Sequence, residues 1–278
     1  MSASLAAIVL LSAFLHAFWN ALLHSGRDRL WTMTIMSMAM GAVAIVAIPF
    51  LPIPERASWP YIVTSGFLEV GYNLFLIQAY RYGDLGQAYP IARGSSPVLV
   101  AVGAMALAGE LLSPLSALGV LLVSTGVIAL AFKGRQLNIP STAMALATGC
   151  FIAAYTVVDG IGVRLAGNSF AYTAWMVVFW TLPMPVILVA VRGRDAFQAP
   201  AREVAKAASG GIVALIAYGT IIWALKFGEM GPIAALRETS VVFAALIGRV
   251  FLNEKLTFFS VAACIVIAVG AACLGYSP

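Results

Sequence analysis

The sequence predicts an all-α integral membrane protein of ten transmembrane helices, arranged as two inverted five-helix repeats, and three observations predict it. Of the 278 residues, 62% are hydrophobic and 10% are charged, against about 25% charged in an average soluble domain. The charges fall in short gaps between apolar runs of about twenty residues, the length that spans a hydrocarbon core of about 30 Å. A charged motif of the first half recurs in the second half at a nearly constant offset, the mark of an internal repeat.

Hydropathy and helix breakers together predict spans at 3–23, 30–51, 61–80, 87–108 and 115–132. After a polar gap at 133–140, five more follow at 141–163, 170–191, 207–225, 232–252 and 256–274. The first span has no basic segment before it and runs into Trp19 and Asn20 without a small-residue cleavage pattern, so it reads as a retained helix and not a signal peptide. Glu110 and Glu254 close their helices beside short turns, where an acid caps the next helix more often than it binds substrate. The longest connection, 192–206, has the length for a short interfacial helix. Ser209, Gly210 and Gly211 open the eighth span in a way that permits close packing, and nothing around them resembles a phosphate loop. Cys150, Cys264 and Cys273 lie in apolar segments without paired spacing and read as small core residues, with no metal site implied.

The net charge of +5 sits mostly in loops, which suggests membrane orientation and not nucleic-acid binding. One set of alternate loops carries Arg27, Arg29, Arg81, Lys133, Arg135, Arg192, Arg194, Arg202, Lys206 and Lys255, and the other carries Arg56, Arg164 and Lys226. By the positive-inside rule the richer set is cytoplasmic and both termini lie on the outer side. Compact loops suggest a bacterial inner membrane.

Gly83-Asp84-Leu85-Gly86 is echoed by Gly228-Glu229-Met230-Gly231. Gly83 and Gly228 are 145 apart, Arg93 and Arg237 are 144 apart, and Glu110 and Glu254 are 144 apart. Five helices per half is an odd number, so the second half enters the membrane in the opposite sense, and such inverted repeats place a solute site at their interface near the midplane. The halves are taken as 3–132 and 141–274.

These segments resemble the drug/metabolite transporter superfamily, specifically its EamA type. The resemblance rests on Gly83 to Gly86 followed by Arg93, Pro97 and Gly109-Glu110, and on Gly228 to Gly231 followed by Arg237 and Asn253-Glu254. It implies that the first, third and fourth helices of each half line a central cavity. The fifth would lie at the edge, where it would support a homodimer. Pro97 stands four residues after Arg93, whereas Val241 stands four after Arg237, which argues against a matching kink in the ninth span.

Ionisable groups inside spans cost about 2.5 to 3.5 kcal/mol at the helix centre on insertion scales, so each needs a partner, water or a function. Glu69 lies near mid-depth in the third span, with Tyr72 and Asn73 on the same face. It is the candidate for exchanging a proton with substrate; the alternative is a structural carboxyl held by Arg93 or a nearby hydroxyl. His16 and Asn20, with Trp19 between them, are mirrored by Tyr155 and Asp159 in the sixth span. These groups would either orient a small polar solute or serve as interhelical hydrogen bonds. Arg93 and Arg237 would either clamp an acidic group or neutralise Glu69, Asp159 and Glu238, and the near balance of charge favours neutralisation. Trp180, Tyr218 and Trp223 read as cavity lining or packing.

The function expected is a secondary transporter working by alternating access, with export of amino acids, related metabolites or small amphiphiles implied by the resemblance. No nucleotide-binding loop or cofactor motif occurs in the sequence, so an ion or solute gradient supplies the energy, with proton coupling through Glu69. The alternative on the same fold is a lipid flippase or a nucleotide-sugar carrier. An intramembrane hydrolase using Ser95 or Ser96 with His16 or His24 is disfavoured, because neither histidine sits in a catalytic motif.

Overall fold

The computed structural model describes residues 1–24, 28–82, 85–132, 138–251 and 257–276. Gly83, Asp84, Asn253 and Glu254 of the repeated motif, and the loop cations Arg27, Lys133, Arg135 and Lys255, lie outside the described residues.

Twelve helices account for almost all of the described chain: α1 (Ala3–His24), α2 (Arg29–Ala47), α3 (Trp59–Tyr82), α4 (Leu85–Ala108), α5 (Pro114–Ala129), α6 (Ile139–Leu165), α7 (Ser169–Thr181), α8 (Pro183–Arg192), α9 (Ala201–Leu225), α10 (Met230–Glu238), α11 (Ser240–Phe251) and α12 (Phe258–Tyr276). Among the described residues, nine segments are long and apolar enough to cross a bilayer, with α7–α8 and α10–α11 each counted as one. The 24-residue α3 is a further long helix, with Glu69 as the one charged side chain among its residues 62–79. Short polar side chains begin several helices by accepting from free backbone N–H groups: Asp28 for α2, Ser113 for α5, Asn138 for α6 and Asn168 for α7.

Two expected spans are broken. The seventh divides at Thr181–Leu182, ahead of Pro183 and Pro185, where a proline is tolerated as the first residue of a new helix but not inside one. The ninth divides at Thr239 although its proline, Pro232, lies seven residues earlier in the first turn of α10, while α4 runs unbroken through Pro90 and Pro97. Side-chain hydroxyls account for both the continuity of α4 and the break at Thr239. Pro97 cannot donate to the Arg93 carbonyl, and Ser96 Oγ donates to it instead at 3.0 Å, so the freed acceptor is satisfied inside the bilayer. At Thr239, Oγ1 donates to the Leu236 carbonyl at 2.7 Å and the backbone N–H donates to that same carbonyl at 3.1 Å. This local bonding competes with the ordinary helical pattern.

The 192–206 connection forms a short 3-10 turn, Arg194–Phe197, and no separate interfacial helix. Instead α9 begins at Ala201, so Ser209, Gly210 and Gly211 lie inside it rather than at its start. The expected close packing does occur there: a Cβ on Gly211 would collide with the Met36 carbonyl of α2. Cys150 is exposed and not a core residue, and all three cysteines are free.

The helices of the two halves interlock. α6 packs on α3 and α4, α1 packs on α9, α10 and α11, α2 meets α7, and α5 meets α12, a pattern preserved when the halves are exchanged. Loop contacts sort into two ends. At one, Arg192 pairs with Asp28 at 3.1 Å and Gln87 accepts from the Asn138 N–H at 3.3 Å. At the other, the Glu55 N–H donates to the Ala166 carbonyl at 3.4 Å and Lys226 Nζ donates to the Gly167 carbonyl at 2.6 Å.

Gly211→Val forces a branched side chain against backbone that cannot swing away, and overpacking of this kind costs about 1–3 kcal/mol. The expected result is a lower melting temperature in detergent and less monodisperse protein. Gly275→Val, where nothing lies within 4 Å of the added Cβ, should melt like the wild type.

Candidate functional site

Two buried polar groups stand out, one across the seam between the halves and one within the second half. The first joins α4 to α10. Arg93 Nε lies 2.7 Å from Glu238 Oε2, and Arg237 Nε lies 3.5 Å from Glu238 Oε1. All three side chains are almost wholly buried, with Glu238 at 0% and both arginines at 3% exposure. The Tyr89 ring lies under the Arg93 guanidinium, 5.8 Å from its centroid, a cation–π arrangement. The short Arg93–Glu238 approach is not directed along an N–H, so the contact is Coulombic and not a directional hydrogen bond.

The second group joins α6, α7 and α9. The Asp159 carboxylate accepts from the Tyr172 hydroxyl at 2.9 Å and from the Tyr218 hydroxyl at 2.7 Å. Glu69 on α3 is buried as well. Tyr72 and Tyr155 meet edge to face at 6.0 Å, and the Trp180 and Tyr218 rings lie 5.7 Å apart. A buried carboxylate needs donors on several sides, and here they come from two helices foreign to its own.

The arginines therefore do not neutralise all three acids as the charge balance suggested. Among the described residues both pair with Glu238 alone, Asp159 is held by phenols, and Glu69 forms no ion pair. The mirrored pairs differ as well. Asn20 donates to the His16 carbonyl of its own helix at 2.8 Å, and Asn73 donates to the Glu69 carbonyl at 3.0 Å, so neither amide reaches across to another helix through its nitrogen. His16 is half-buried, with Trp19 edge-on at 5.0 Å.

Glu110 is structural, as expected, but it acts between halves instead of capping α5. Its Oε2 accepts from the Met230 N–H at the start of α10 at 2.8 Å, and its Oε1 pairs with Arg164 at 2.6 Å. Arg164, counted in the sequence only as a loop cation, also donates to the Leu225 and Gly228 carbonyls at 3.0 and 2.7 Å. A cavity of about 460 Å³ lined by Leu5, Ile8, Trp223, Phe227 and Pro232, among others, opens at this end and, Trp223 apart, holds none of the expected site residues.

Tyr172 was not foreseen because the seventh span was assigned outside the cavity. The signal available was its position 13 residues after Asp159, across a turn short enough to bring it back alongside.

The profile of the EamA-like transporter family matches residues 3–132 and again 140–276. The chain belongs to the EamA-like transporter family. As a member of this drug/metabolite transporter type it is a membrane transporter of small molecules, embedded in lipid. Solved structures agree on the fold: 29 chains match, and one crystal structure of a protein is 20% identical with a TM-score of 0.75, covering 98% of this chain and 96% of that one. No curated protein matches.

In this EamA-like transporter, Tyr172→Phe leaves the buried Asp159 with one phenol fewer. A hydrogen bond to a charged group contributes about 1.5–3 kcal/mol, so the melting temperature in detergent should fall, and an unchanged melt would show that Tyr172 does not hold the acid.

Proposed function

We propose that this EamA-like transporter is a secondary exporter of small polar metabolites, amino acids and related amphiphilic compounds foremost. It works by alternating access between two five-helix repeats, 3–132 and 141–274, of inverted topology, with α3 as the tenth spanning helix. The observation that carries the reading is the burial of Glu69, Arg93, Asp159, Arg237 and Glu238 at contacts between the halves. Charges at such depth are retained where they serve a solute or ion path, and a rocking motion of one half against the other would expose them to each side in turn. The same charges favour a polar solute over a lipid, which places the flippase reading second.

Glu69 couples the cycle to protons. It is a buried carboxyl on α3, which packs on α6 and α7 of the other half, so a proton gained or lost there changes the charge at that seam. The loop-charge count supports an inner-membrane orientation with both termini outside.

Extracellular metabolites are compared among cells overexpressing the wild type, Glu69→Gln, or an empty vector. A compound that accumulates outside with the wild type and at vector level with Glu69→Gln is the expected outcome; wild-type and vector cells with the same extracellular profile would overturn export. With that compound in proteoliposomes, Glu69→Gln should keep counterflow and lose proton-driven flux, and proton-driven flux at the wild-type rate would remove Glu69 from coupling.

A further inference from the structure

Arg93, Arg237 and Glu238 form a buried group with two positive charges and one negative. Its hydrogen-bonding capacity is far from used: Nε and Nη2 of both arginines and both carboxylate oxygens of Glu238 are buried and have no directional hydrogen-bond partner among the described residues. Buried donors of this kind are expensive to leave unmatched, and a guanidinium presents a fork that fits a carboxylate with two parallel bonds. The group is thus well placed in charge but poorly bonded in geometry, the state of two guanidiniums that a better-aligned carboxylate would satisfy.

We infer that Arg93 and Arg237 are the anion seat of the solute site, and that Glu238 sits in that seat when no solute is bound, competing with the carboxylate of a small solute for the same two guanidiniums. This rests on the transport reading above and names the solute class: a small molecule bearing a carboxylate.

Three features single out Glu238 as the stand-in. It is the last residue of α10, immediately before the break at Thr239, so the joint that would let it withdraw lies beside it. It reaches from α10 to Arg93 on α4, so its withdrawal unties a contact between the two halves. The first half has no counterpart acid. The residue after Arg93 is Gly94, where even a Cβ would lie 2.6 Å from Ile128 Cγ1 and 2.9 Å from the Ile128 backbone N. The repeat therefore supplies two arginines and a single internal carboxylate.

A consequence follows for the cycle. An empty carrier that must reorient with two unneutralised guanidiniums pays a heavy desolvation penalty. Glu238 lowers that penalty, so the empty protein can return and net export results instead of obligatory exchange.

The test uses the purified full-length protein in detergent, with propionate as the anionic probe and propionamide as its uncharged match, read by thermal shift. Propionate should raise the wild-type melting temperature saturably, and propionamide should not. Glu238→Gln should reach half-saturation at least about tenfold lower in propionate, and Arg93→Gln should not respond. Should Glu238→Gln fail to yield monodisperse protein, Glu238→Asp decides, because it keeps the charge and retracts it by one methylene; several-fold tighter propionate binding is expected. Equal propionate sensitivity in wild type and the Glu238 variant would overturn the competition, and so would an equal response to propionamide. A wild type indifferent to propionate would also overturn the inference, while the transport reading, decided by the metabolite comparison, would stand.

Discussion

A charge in hydrocarbon must find its counter-charge or its hydrogen bonds inside the protein, and in this chain the partners repeatedly lie in the other half. Glu238 of α10 meets Arg93 of α4. Glu110, just beyond α4, meets Arg164 of α6 and the first N–H of α10. Between helices in lipid the hydrophobic effect offers little preference for one neighbour over another, so these polar contacts determine which seams form.

Where polar contacts are absent, close approach takes over. Gly211 against Met36, Gly119 against Gly270 and Gly126 against Ala263 and Ile267 let α9 meet α2 and α5 meet α12 at backbone distance, with dispersion and not water-driven burial as the attraction. α5 and α12 thus tie the halves together at the edge of the bundle through small residues. α3, α4, α6, α9 and α10 meet nearer its centre through charged and phenolic ones.

The irregularities of the helices follow the same logic. α4 keeps its course through two prolines because Ser96 repairs the carbonyl that Pro97 leaves open. The α10–α11 break arises from a threonine that bonds its own helix. A proline count alone therefore does not foresee the break at Thr239. The break falls next to Glu238, so the one internal carboxylate of the arginine pair stands beside the most deformable point of its span.

Much of this protein is written locally in its chain. Apolar runs of membrane-spanning length, turn-forming Asp, Asn and Ser before the helices, and the repeated Gly-acid-x-Gly, Arg and Glu at 144–145 residues determine where nearly every helix lies and which family the chain joins, because each depends on residues close in sequence or on their period. Glu69, Arg93, Asp159, Arg237 and Glu238 were likewise visible as costly charges within spans. Which charge pairs with which was decided only by tertiary structure. Three acids and two arginines admit several pairings of similar balance, and the choice of Glu238 for both arginines, of Tyr172 and Tyr218 for Asp159, and of the far half for Glu110 depends on how helices distant in sequence come to lie side by side.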